Sequence, residues 1–164
     1  MKALLTKTAL SKAALLKADI AARIPHSGPM CLLDRVVSWN NETILCEASN
    51  HQDADHPLAC DGMLDTMAAI EYAAQAMAVH GALIAENAAS VASSDGPKMG
   101  YLASVRDVAC MIPFLHELSP PLRIEATRLM GEETRVLYEF KVSAGEQLCA
   151  QGRAAVVLDA GINL

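Results

Sequence analysis

HPLACDGMLDTMAAIEYAAQAMAVHGALIAE, residues His56–Glu86, is the stretch that decides the fold. From Thr66 to Ala85 its spacing predicts one long helix rich in Ala and Met, bounded by Asp65 and Glu86, with Glu71 the single charged residue between them. A helix that is apolar nearly all round is buried on most of its faces. A carboxylate inside such a helix is costly to bury unless it is paired, hydrogen-bonded or protonated. Asp65 or Thr66 suits the N-cap, where an acceptor satisfies a free N–H and an acidic group meets the positive end of the helix.

Outward from this helix the chain reads as hairpin, helix, then four strands. Residues 1–23 predict an N-terminal helical extension, ended by the irregular run around Pro25, Gly28 and Pro29. Met30–Trp39 and Thr43–Ser49 are apolar, branched-residue runs separated by Asn40-Asn41-Glu42, which predicts a β-hairpin. A polar loop follows, then the helix, then a small-residue segment, Asn87–Lys98, expected to be a mobile loop. Further strands are predicted at about 99–108, 122–130, 134–143 and 147–158. A single antiparallel sheet wrapped around one helix buries these faces economically, and a helix of ~20 residues is about 30 Å long, enough to run along a whole sheet. An open sheet leaves edges that a second copy can cover, so a dimer is expected.

Composition narrows the function classes. The 164 residues suit one domain, 52% hydrophobic and 20% charged, which excludes a disordered chain. The formal net charge is −6 and the basic residues are scattered, so neither nucleic acid nor an anionic membrane is the expected partner. Lys2, Lys7, Lys12 and Lys17 interrupt the N-terminus, which therefore lacks the apolar core of a signal peptide. The stretch 66–85 is long enough to span a bilayer, but Glu71, Gln75 and His80 exclude it. Cys31, Cys46, Cys60, Cys110 and Cys149 show no Cys-x-x-Cys pair and no metal spacing, so reduced thiols, a cytoplasmic location and no metal are expected. No Gly-x-Ser-x-Gly run and no Gly-rich strand-to-helix loop is present, which sets aside nucleophilic-serine and nucleotide-binding readings.

Four segments stand in order along the chain: IPHSGPMCLLDRV (Ile24–Val36), HPLACDG (His56–Gly62), IEYAAQA (Ile70–Ala76) and GYLASVRDVACMIPF (Gly100–Phe114). Together they resemble the hot-dog-fold 3-hydroxyacyl carrier-protein dehydratases, in particular their divergent aryl polyene branch. The resemblance implies an α+β hot-dog fold, an acyl carrier protein as the substrate's bearer, and no cofactor. It assigns His56 as the catalytic base and Glu71 as the catalytic acid. The chemistry wants both: one group removes the proton beside the thioester carbonyl and another protonates the departing β-hydroxyl. Neutral imidazole suits the first task, and a carboxylic acid in apolar surroundings suits the second. The uncharged helical neighbours Met67, Ala68, Ala74 and Gln75 favour such surroundings for Glu71.

Substrate binding is expected at Gly62, Thr66 and Met67, where a backbone N–H near the helix start would face the thioester oxygen. Gln75, one turn beyond Glu71, is placed to orient its carboxyl. The resembled family joins its histidine and its acid across a dimer interface, which implies a homodimer or a heterodimer with another hot-dog subunit. His26, His51, His80 and His116 are read as structural or solvated. Two other functions fit the same fold: an acyl thioesterase whose helix carboxylate activates water, and a non-catalytic partner of a heterodimeric dehydratase.

Overall fold

The computed structural model describes residues 14–89, 100–132 and 134–158. In chain order the elements are β1 (Leu15–Leu16), α1 (Lys17–Ala21), β2 (Arg35–Trp39), β3 (Thr43–Ala48), α2 (Ala69–Ala89), β4 (Gly100–Cys110), β5 (Leu122–Gly131), β6 (Arg135–Ala144) and β7 (Gln147–Leu158). The strands form one seven-stranded sheet in the order β1-β2-β3-β5-β6-β7-β4, with every pair antiparallel. This is the α+β hot-dog arrangement: one long helix lies against one sheet, packed mainly on β5, β3 and β6.

Alternation along the strands sets the two faces of the sheet. On β6, Val136, Tyr138, Phe140, Val142 and Ala144 point into the core, while Arg135 and Lys141 are exposed. Leu122, Ile124 and Ala126 do the same on β5. Against them α2 sets Tyr72, Ala73, Ala76, Met77, Val79 and Leu83, and no residue from Ala69 to Ile84 is exposed.

Three boundaries depart from the sequence reading. The N-terminal extension is helical only over α1 within the described residues, and residues 1–13 lie outside them. Leu15–Leu16 is extended because it pairs with Arg35 and Val36, covering the edge of β2, so tertiary pairing overrides local helix preference. The strand expected from Met30 begins at Arg35. Gly28–Met30 forms a 3-10 turn, and the backbone of Met30 and Leu32 is claimed by the side chain of Gln75 rather than by a neighbouring strand. The central helix continues to Ala89, so the first residues of the expected loop are helical, and 90–99 lie outside the described residues. The hairpin joining β2 and β3 and the positions of β4 to β7 match the pattern in the sequence.

β4 lies at one end of the sheet and pairs with β7 alone. Its first eight residues are all exposed, including Tyr101, Leu102 and Val105. Register shifts at Leu102/Ser104 and Arg106/Ala109, the second containing Asp107 at φ 53°, bend it along its length.

Candidate active site

The approach to α2 is built by a two-residue turn. Cys60 and Met63 exchange both backbone hydrogen bonds at 2.9 Å around Asp61 and Gly62, whose φ values are 51° and 75°. Positive φ at both central residues is the hairpin turn that Asp-Gly favours. Leu64 and Thr66 then zip onto the 113–115 segment: Thr66 N–H donates to Pro113 O at 3.1 Å, and Leu115 N–H donates to Leu64 O at 2.8 Å. Asp65 caps the helix, its carboxylate accepting Met67 N–H at 2.7 Å and its carbonyl accepting Ala68 N–H at 3.0 Å.

These bonds bear on the expected substrate-binding residues. Gly62 sits in the turn, before the helix starts, and the amides of Thr66 and Met67 are already engaged within the chain. The Thr66 side chain is buried, and its Oγ1 has no hydrogen-bond partner among the described residues. The Met67 side chain is exposed and meets Cys110 Sγ at 3.7 Å.

His56 is buried, 4% exposed, beside α2. Its Nδ1 accepts Leu58 N–H at 3.1 Å, and its Nε2 lies 2.9 Å from Tyr72 Oη. With Nδ1 accepting, the neutral ring carries its proton on Nε2 and donates to Tyr72, whose hydroxyl donates to Asn50 Oδ1 at 2.6 Å. Burial pushes the imidazole pKa below its ordinary value, outweighing the opposing pull of Asp53 and Asp55, so the ring is neutral at pH 7. Burial likewise pushes the Tyr72 hydroxyl up, so it stays protonated.

Glu71 is the neighbour of Tyr72 in sequence but turns to a different face of the helix. It shares a half-buried stripe with Ala74, Ala78 and Ala82, and its side chain is 31% exposed. Gln75 Nε2 donates to Glu71 Oε1 at 2.9 Å, as the spacing of one turn predicts. The surroundings are less apolar than the helical neighbours alone suggested, because His26 reaches the same oxygen, with Nε2 3.0 Å from Oε1. Among the described residues no hydrogen bond or ion pair joins His56 to Glu71. Gln75 is fully buried and fastens the preceding segment as well, accepting Leu32 N–H at 2.9 Å and donating to Met30 O at 2.8 Å.

The other histidines have local partners. His51 Nε2 donates to Leu118 O at 2.8 Å, and His116 Nδ1 accepts Leu64 N–H at 3.1 Å. His80, fully buried, lies 2.7 Å from Asn40 O through Nε2 and 3.1 Å from Tyr138 Oη through Nδ1. Three polar participants escaped the sequence reading: Tyr72, Asn50 and His26. A phenol on an otherwise apolar helix needs a partner for its hydroxyl, so Tyr72 was findable. The His26 contact spans 45 positions and has no local signal. Cys31, Cys46 and Cys149 are buried free thiols, and Cys60 and Cys110 are exposed free thiols. Among the described residues no helix is long and apolar enough to cross a membrane.

Comparison with known proteins agrees with this fold and extends it. The family model for ApeP dehydratase, of the ApeP-like family, matches residues 18–161. A chain of the ApeI:P dehydratase heterocomplex from Xenorhabdus doucetiae is similar at 25% identity with a TM-score of 0.73, over 85% of this chain and 90% of that one. A thioesterase from Haemophilus influenzae is similar at 13% identity and a TM-score of 0.62, over 94% and 98%. A hypothetical thioesterase from Streptococcus pneumoniae, solved with coenzyme A, is similar at 8% identity and a TM-score of 0.55, over 76% and 84%. At such identities the two thioesterases share the fold alone. No curated protein sequence matches the chain.

Proposed function

The chain belongs to the ApeP-like dehydratase family, and from that premise we propose that it eliminates water from a 3-hydroxyacyl thioester borne by acyl carrier protein. The product is the trans-2-enoyl thioester, in fatty acyl synthesis of the aryl polyene type in the cytoplasm. A base removes the proton beside the thioester carbonyl, and its electron pair forms the carbon–carbon double bond. The β-carbon–oxygen bond breaks, and the hydroxyl departs as water with a proton from an acid. Proton movement suffices, so the reading needs no cofactor.

The observation that carries this reading is Glu71: a half-exposed carboxyl on a buried apolar helix, with one oxygen held by two nitrogen donors. It takes the part of the acid. On this reading the small side chains of Ala74, Ala78 and Ala82 beside it suit an acyl chain laid along the helix. His56 takes the part of the base, and its neutral imidazole is the protonation state that task requires. Both of its nitrogens are engaged within the chain, so one of those bonds opens when it accepts a proton. Since Glu71 and His56 are not joined in one chain, the reading has a second hot-dog subunit complete the site, either a copy of this chain or a different one.

The test is to supply 3-hydroxyacyl carrier protein to the purified chain, alone and with a hot-dog partner, and follow enoyl formation. Glu71→Gln is expected to lower kcat by about 100-fold or more, the scale of a lost general acid. Free acid and thiol without enoyl product would sink the dehydratase reading in favour of a thioesterase. A second reading, a non-catalytic subunit, is favoured by the satisfied nitrogens of His56. On that reading His56→Ala and Glu71→Gln leave dehydration by the two-subunit complex intact.

A further inference from the structure

We propose that His26 is a positioning residue for the Glu71 carboxyl, saturating Oε1 together with Gln75 so that the acid proton is carried on Oε2. This rests on the dehydratase reading above. Two nitrogen donors, His26 Nε2 at 3.0 Å and Gln75 Nε2 at 2.9 Å, converge on Oε1, and among the described residues no hydrogen bond falls on Oε2. When the carboxyl takes up its proton as the acid, the oxygen that already accepts two N–H bonds keeps the carbonyl role, and the O–H goes to the other one.

The placement of His26 is fixed from both sides. Upstream, Arg23 is tied to α2 by Glu86, with Nε 3.0 Å from Oε1, and to α1 by the Asp19 carbonyl at 2.7 Å. Downstream, Gln75 holds the backbone of Met30 and Leu32. The segment between these tethers on one helix carries His26 across Glu71. The ring has no competing partner, because its Nδ1 is buried without a hydrogen bond among the described residues. Facing a carboxyl oxygen, Nε2 carries a proton and donates it to Oε1.

A plain surface pair is the competing explanation, since both side chains are about 30% exposed, and such pairs add little stability. That makes the two roles separable. With the wild-type chain and its hot-dog partner turning over 3-hydroxyacyl carrier protein, His26→Ala is expected to lower kcat roughly 10- to 100-fold, the scale of a misplaced catalytic group. KM and the thermal midpoint stay close to wild type. His26→Gln, whose amide nitrogen can reach Oε1, is expected to restore most of kcat. An unchanged kcat in His26→Ala, or a His26→Gln variant as impaired as His26→Ala, overturns the proposal. A readout independent of turnover is the ring ¹⁵N resonance of His26 Nε2, expected to move in Glu71→Gln; a resonance that does not move also overturns it. A wild type that makes no enoyl product overturns the dehydratase reading instead, and the resonance then decides the His26–Glu71 contact by itself.

Discussion

At the scale of the residue, Gln75 links stability to chemistry. Its amide is fully buried and satisfies three partners: Leu32 N–H, Met30 O and the Glu71 carboxylate. Gln75→Leu keeps the volume but leaves the two backbone groups unpaired, and each such orphan costs about 1–3 kcal/mol. We expect a loss of roughly 2–6 kcal/mol in urea unfolding on that basis, with a fall in kcat as Glu71 loses a donor. His56 and His80 give the chain a pH dependence of definite sign. Burial lowers both imidazoles below their ordinary value of 6.5. Above that pH both states are neutral and nothing is lost. As pH falls through 6.5 the unfolded chain takes up protons that the folded chain refuses, so stability declines until the folded values are passed. Chemical denaturation between pH 7.5 and 5 should show this decline, and His80→Gln should make it shallower. The sequence exposed Glu71 and Gln75 because one turn separates them on one helix. It hid His26, whose meeting with Glu71 depends on where the 24–32 segment is laid down. It also hid the burial of His56, a loop residue whose Nε2 meets Tyr72 Oη in the interior, where the Tyr72 hydroxyl bonds Asn50.

At the scale of the element, the start of α2 is set by chemistry the sequence wrote plainly. Of the two N-cap candidates, Asp65 is the one used, capping the 3-10 turn Thr66–Ala68 that leads into α2, and Asp65→Ala should cost about 1 kcal/mol, measured as a lower denaturation midpoint. The Asp61-Gly62 pair is the usual signature of a two-residue hairpin turn, although the flanking segment is too short to read as strands. Gly62→Ala forces a side chain into φ 75°, and we expect a destabilisation of about 1 kcal/mol, whereas Asp61→Gly should be tolerated. Strand boundaries were legible where apolar and polar residues alternate, as on β6. They were not legible at Met30–Leu32, where an apolar run continues but Met30 O and Leu32 N–H bond a helix side chain instead of a neighbouring strand.

At the scale of the whole molecule, the exposed edge at β4 is the surface expected to govern association. Tyr101, Leu102 and Val105 are exposed on a strand whose outer edge has no paired neighbour among the described residues. A long, apolar, uncovered edge is a template for strand pairing. Leu102→Glu is expected to shift the assembled form toward monomer in light scattering while leaving the unfolding midpoint within about 0.5 kcal/mol of wild type, as for other surface changes. The order of the sheet also has a consequence for synthesis. β4 is made before β5, β6 and β7, yet its one paired neighbour among the described residues is β7, the last of these strands to be made. Until β7 has emerged, β4 is an apolar strand without its pairing partner, and that is the interval in which it is most open to pairing with another chain.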